Sequence, residues 1–209
     1  MALTMVHLMA ADKWAAGHPR YAECPEFFLG AISPDAIHVR DHGDKSRKDM
    51  FHLYNWRSPH PEPVIEYWSG HRAPFDIGYG VHVLTDAQWV PRYMKRLPGL
   101  LEPEGKLNID QYYNDTFVTD FRLFHKIPRL AELLDMVEAA EPAADHPLLT
   151  ADEFDQWRRM IAKAYRGECP KNGPVRFVDE AYVLEFVDDC VSMIDDVYAQ
   201  AGFPADGNY

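Results

Sequence analysis

The chain has 209 residues, 47% of them hydrophobic, with a formal charge of −12 from 21 Lys and Arg against 33 Asp and Glu. That length and composition suffice for one buried core and are short for two, so a single domain over residues 1–209 is expected. The acidic balance disfavours bulk nucleic-acid binding, and no apolar run reaches the ~20 residues of a bilayer crossing, which predicts a soluble chain without a membrane span.

The opening stretch Met1-Ala-Leu-Thr-Met-Val-His7 has no positive segment ahead of its apolar residues, so no export signal is read and a cytoplasmic location is expected. Residues 4–16 place Met5, Leu8, Met9, Ala15 and Ala16 near helical spacing behind Thr4, predicting a first helix that carries His7. A short helix is expected from Pro25 to Ile32. Ser33-Pro34 stops it, because the residue before a proline is pushed out of helical dihedrals, and Asp35 follows that break. Residues 38–61 are polar, mixed in charge and aperiodic, and they read as a long loop excursion with one helical turn near Met50 to Tyr54.

Phe75 to Met94 is apolar almost all round, as for a helix at the centre of a bundle. Gly78 and Gly80 within it have poor helix propensity, which close packing or a nearby ligand must offset. A Pro/Gly loop at 97–107 precedes a long helix from Asn108 or Asp110 to Lys126. Pro128 interrupts before a helix from Arg129 to Ala140, and Glu141 to Pro147 is a connector. Thr150-Ala-Asp-Glu153 is a capping box opening a helix to about Arg166. A last helix, from Pro174 or Arg176 to Ala201, carries the stripe Ala181, Leu184, Val187, Val191, Ile194 and Val197. With no alternating strand-like runs and no repeats, the fold class is all-α, a single-domain multi-helix bundle.

Cys24, Cys169 and Cys190 are widely spaced and form no C-x-x-C pair, as suits unreactive thiols in a reducing compartment. A metal would therefore rest on carboxylates and on the ten histidines. The sharpest signal is His82-Val-Leu-Thr-Asp86, since an i,i+4 pair on a helix brings two side chains to one face about 5–6 Å apart at Cβ. Both polar groups lie in an otherwise apolar helix, where an unpaired carboxylate is costly. The alternative is a buried, hydrogen-bonded His–Asp pair. His7, Asp35 and His52 complete the mixed imidazole and carboxylate set that zinc prefers. Asp120 and Asp115 lie among aromatics on the helix after the Pro/Gly loop and are candidates to complete the site, with a cap or surface carboxylate as the alternative. Arg40 has the fork to bind a substrate phosphate bidentately, the alternative being a solvated loop charge. The cationic run Lys45, Arg47 and Lys48 reads as a solvated face, and His18, His60, His71, His125 and His146 as structural or surface residues.

Four segments carry a resemblance: Phe28-Leu-Gly-Ala-Ile-Ser-Pro-Asp-Ala-Ile-His-Val-Arg40, Phe51-His52, Gly78-Tyr-Gly-Val-His-Val-Leu-Thr-Asp-Ala-Gln-Trp89 and Tyr112-Tyr-Asn-Asp-Thr-Phe-Val-Thr-Asp120. In order and context they resemble the zinc-dependent phospholipase C family, in the wider group with the P1-type nucleases, over roughly residues 5–125. They look most like its small unsecreted bacterial hydrolases. The resemblance implies His7, Asp35, His52, His82 and Asp86 as metal ligands, with Asp86 placed to bridge two ions. It also implies Asp35 as the group that orients or deprotonates water. Where the secreted members have a further histidine this chain has Arg92, the ligands of their third metal have no clear counterpart, and the unprocessed start does not offer their N-terminal amine. One or two zinc ions are expected. The function so implied is metal-assisted hydrolysis of a small phosphate ester, diester or phospholipid-like substrate. A phosphohydrolase built on an adjacent His-Asp doublet fits poorly, because the chain has only the reverse order at Asp41-His42 and Asp145-His146. The rival of another class is a non-catalytic helical protein that uses the metal or the polar pair for structure or partner binding.

Overall fold

A computed structural model describes residues 2–41, 48–53, 60–96, 106–141, 146 and 148–203 of the chain. Among these the fold is all-α, with no sheet. The helices are α1 (Thr4–Ala15), α2 (Pro19–Ala22), α3 (Pro25–Gly30), α4 (Ile37–Asp41), α5 (Lys48–Phe51), α6 (Glu62–Gly70), α7 (Pro74–Arg96), α8 (Ile109–Lys126), α9 (Pro128–Ala139), α10 (Ala151–Tyr165) and α11 (Glu180–Gln200). A 3-10 turn, Ser33–Ala36, joins α3 to α4. No described helix is long and apolar enough to cross a membrane.

The central helix is α7, which packs on α1, α3, α6, α11 and the 3-10 turn. Its residues Ile77, Tyr79, Val81, Val83, Leu84 and Trp89 are buried on all sides, as its uniformly apolar sequence requires. The glycines explain how closely it is approached. A Cβ on Gly78 would lie 2.0 Å from the Phe27 carbonyl oxygen, and one on Gly30 would lie 2.1 Å from that of Phe75. The main chains of α3 and α7 therefore touch, and the low propensity of Gly78 is offset by packing, as expected. Gly80 makes room for the Trp68 indole in the same way.

Four boundaries differ from the sequence reading. The expected excursion at 38–61 contains α4 and α5, while residues 42–47 and 54–59 lie outside the described set. The predicted turn near Met50 to Tyr54 falls earlier, at Lys48–Phe51, and ends at Leu53, whose φ of 51° is a left-handed conformation rare for a bulky residue. The last helix begins at Glu180, not near Pro174. Asp179 caps it by accepting from the Tyr182 N–H, and residues 176–178 spend their N–H groups elsewhere. Helices α2 and α6 were not read from the sequence; neither has a side-chain cap, and the proline in the first turn of each was the local signal available. The capping box at Thr150 and Glu153 forms as read. Of the two loops, residues 97–105, 142–145 and 147 lie outside the described set.

One histidine assigned a structural role is tied in completely. Tyr67 donates its hydroxyl proton to Asp76 Oδ1 (2.9 Å), so His146 Nε2, 2.8 Å away, must be the donor to the Tyr67 oxygen. His146 Nδ1 in turn accepts from the Leu148 N–H at 3.3 Å. Both nitrogens are satisfied only in the neutral ring, and burial lowers the His146 pKa to about 4.

Two outcomes follow. Replacing Gly78 by Ala would stabilise an uncrowded helix by ~1 kcal/mol. Here it is expected to destabilise by about 3 kcal/mol in urea unfolding, because the new methyl meets main chain that cannot rotate aside. His146 titrates below its unfolded value near 6.5, so its contribution is complete above about pH 6.5 and is lost as pH falls towards 4. Relative to His146→Gln, the wild type should lose on the order of 2 kcal/mol between about pH 7 and about pH 4, after discounting for partial solvent contact. Parallel pH profiles would exclude this.

Candidate metal centre

Five side chains from four segments meet in the core. His7 comes from α1, Asp35 from the 3-10 turn, His52 from the end of α5, and His82 and Asp86 from successive turns of α7. His7 Nε2 lies 3.5 Å from Asp86 Oδ1. His52 Nε2 lies 3.5 Å from Asp35 Oδ1, 3.4 Å from Asp86 Oδ2 and 3.3 Å from His82 Nε2. The His7 and His82 rings stack at 3.6 Å, and the most exposed of the five, Asp35, is 7% accessible.

Main-chain carbonyls decide which imidazole nitrogens are left to bind. His82 Nδ1 is 2.8 Å from the Ala31 oxygen and His52 Nδ1 is 3.1 Å from the Lys48 oxygen. A carbonyl only accepts, so each Nδ1 carries a proton and each ring turns its Nε2 to the centre; His82, kept neutral by burial and His7, presents a lone pair there. The two Nε2 atoms face each other across 3.3 Å. Around them both nitrogens of His7 and Asp86 Oδ2 are buried without a hydrogen-bond partner. Unpaired buried polar atoms of this kind are costly, and a cation among them satisfies several at once. Two groupings have ligand atoms mutually within 4.8 Å: His52, His82 and Asp86, and His7, Asp35 and His82. Their donor chemistry, imidazole nitrogen and carboxylate oxygen, suits zinc.

Lys48 is the residue that sequence reasoning missed. It was read as part of a solvated cationic run, yet it is 2% exposed, with Nζ 3.0 Å from Asp35 Oδ1 and 3.9 Å from Asp86 Oδ2. The available signal was its position four residues before His52 beside apolar Met50 and Phe51, which turns it inward on the same helical turn. Lys45 and Arg47 lie outside the described residues. Burial alone would raise the pKa of Asp35, but Lys48 and His52 outweigh it and hold the carboxyl well below the usual range. Asp86 is likewise pushed up by burial and pulled lower by His52 and His7. Burial and the neighbouring His7 keep His82 neutral, which agrees with its lone pair. Burial lowers the Lys48 pKa less than Asp35 and Asp86 raise it, so the ammonium persists.

Three other predicted site residues are engaged elsewhere. Asp120 accepts from the Met5 and Val6 N–H groups (3.1 and 3.3 Å) and from the Tyr165 hydroxyl, so it caps α1 and places His7 from behind. Burial pushes its pKa up to about 7 against those donors. Asp115 accepts from the consecutive N–H groups of Arg176, Phe177 and Val178 at 3.1, 2.7 and 3.2 Å, which organises the approach to α11 rather than a substrate. Arg40 spends its fork on Glu153, at 2.5 and 2.6 Å, and so pins α4 to α10.

A cavity of about 630 Å³ opens beside the centre. Asp35 and His38 lie in its largely apolar wall with Tyr113, Phe117, Trp157 and Ile161, and Asp110, Glu168 and Lys171 line it as well. If Asp115 is structural, Asp115→Ala should lower stability by about 3 kcal/mol by stranding three donors, while leaving metal uptake unchanged. Unaltered stability with lost activity would return Asp115 to the substrate. Comparison of the chain with protein-family models, curated proteins and solved structures gives no significant match.

Proposed function

We propose that the protein is a metal-dependent, zinc-type hydrolase of a phosphate ester, akin to the zinc-dependent phospholipases C. The observation that supports this most directly is that the Nε2 atoms of His52 and His82 face each other at 3.3 Å, each ring oriented by a main-chain carbonyl, next to Asp86 Oδ2, which is buried without a hydrogen-bond partner. That arrangement is poor as a hydrogen-bonded core and good as a ligand set.

His52, His82 and Asp86 would hold the ion, with His7 beside Asp86. A divalent cation there supplies Lewis acidity towards a phosphoryl oxygen and lowers the pKa of water. Asp35 reaches the cavity wall, so it is the carboxylate that meets water and substrate. Held ionised by Lys48 and His52, Asp35 is a weak base, and its role is to orient a water molecule rather than to store its proton. The aromatic and aliphatic part of the wall favours an ester whose other group is apolar.

One observation favours the non-catalytic alternative. Lys48 already neutralises part of the carboxylate charge, and a buried polar network can serve structure alone. Metal analysis with a substrate screen separates the two readings. Purified protein should carry zinc, and hydrolysis of at least one phosphomonoester, phosphodiester or phospholipid should cease with chelator. His82→Ala should lower zinc affinity by at least ~100-fold and abolish turnover. A chain that takes up no divalent cation, or is fully active without one, overturns the proposal.

A further inference from the structure

We infer that Lys48 stands in for a second metal ion, so that the centre holds one divalent cation on His52, His82 and Asp86 while the lysine ammonium supplies the remaining positive charge at Asp35. This inference rests on the metal-centre reading and adds its stoichiometry and charge.

Three observations carry it. First, the two possible ligand groupings share His82. Its Nδ1 proton is committed to the Ala31 carbonyl, so His82 has one lone pair for one ion, and a second ion would have to rest on His7 and Asp35, which makes the state of Asp35 decisive. Second, the carboxylate that would anchor the other grouping, Asp35, already faces the Lys48 ammonium at 3.0 Å. A divalent ion on Asp35 would sit against a buried like charge with little water to screen it. Third, leaving the imidazoles out of the count, the side chains of the centre contain two carboxylates and one ammonium, a net charge of minus one. One divalent ion turns that to plus one, enough to attract a phosphate. A second ion would leave plus three inside the core, a charge that burial strongly opposes. The same residue joins the two functions, because the Lys48 carbonyl also orients His52 towards the ion.

Zinc counting by native mass spectrometry on the full-length chain tests this. The wild type and Lys48→Arg should each bind one zinc per chain, and folded Lys48→Met, checked by circular dichroism, should bind two. Two zinc ions in the wild type, or one in folded Lys48→Met, overturns the inference while leaving the metal-centre reading intact. No zinc in the wild type ends both. Should Lys48→Met fail to fold, the wild type still decides. Lys48 should resist acetylation by acetic anhydride equally before and after zinc loading, as a resident cation does, whereas a lysine that zinc expels becomes reactive.

Discussion

The candidate site depends on how closely two main chains approach. Helices α3 and α7 meet at Gly30 and Gly78, where any larger residue would strike backbone. Gly78, His82 and Asp86 follow one another at i,i+4 spacing along one face of α7. The glycine contact therefore sets the position of the next turn, bringing His82 Nδ1 to 2.8 Å from the carbonyl of Ala31, the residue that ends α3. A side-chain acceptor can rotate away, but this carbonyl is fixed by the packing of two helices. The tautomer of His82, and hence the direction of its lone pair, becomes a property of the fold.

Legibility in the sequence followed the range of the interactions. Periodicity and caps are local, and they located α1, α3, α7, α8, α9 and α10 to within a few residues; the Thr150 capping box was read directly. The His82 and Asp86 pair was legible for the same reason, because i,i+4 spacing on an apolar helix is itself a geometric statement. The convergence of His7, Asp35 and His52 on that pair came through family resemblance, since nothing in their spacing encodes a meeting between segments tens of residues apart. Sequence could not choose between a site role and a structural one for Asp115, Asp120 and Arg40, because their partners are distant main-chain N–H groups and Glu153, which no local pattern announces. Lys48 was hidden by its neighbours. In a run with Lys45 and Arg47 a lysine looks solvated, and only the burial of Asp35 and Asp86 explains why this one turns inward.

Buried ionisable groups tolerate one another here through alternation. Each carboxylate touches a donor or an imidazole: Asp35 has Lys48 and His52, and Asp86 has the Ala2 N–H at 2.8 Å, His7 and His52. Removing any one member leaves a charge without its counterpart in the core, so the cluster is coupled and single changes will not add. Asp120 extends the coupling outward. By capping the first turn of α1 from α8, it links the position of His7 to the packing of a helix that contributes no ligand.

The two carboxylates are distinguished by backbone context more than by chemistry. Asp86 lies in the middle of a core helix, fully buried, where it can only hold what is already inside. Asp35 lies in a 3-10 turn that Pro34 opens and Ser33 fastens by donating to the Leu29 carbonyl at 2.6 Å, and that turn carries it to the wall of the apolar cavity. On the proposed reading this divides the work: Asp86 fixes the ion and Asp35 meets the incoming ester. Lys48 reaches both, closer to Asp35, so it restrains the exposed carboxylate more firmly than the buried one. A carboxylate so restrained keeps its charge and its aim when an anionic phosphate approaches, which is what orienting a water molecule in an apolar chamber requires.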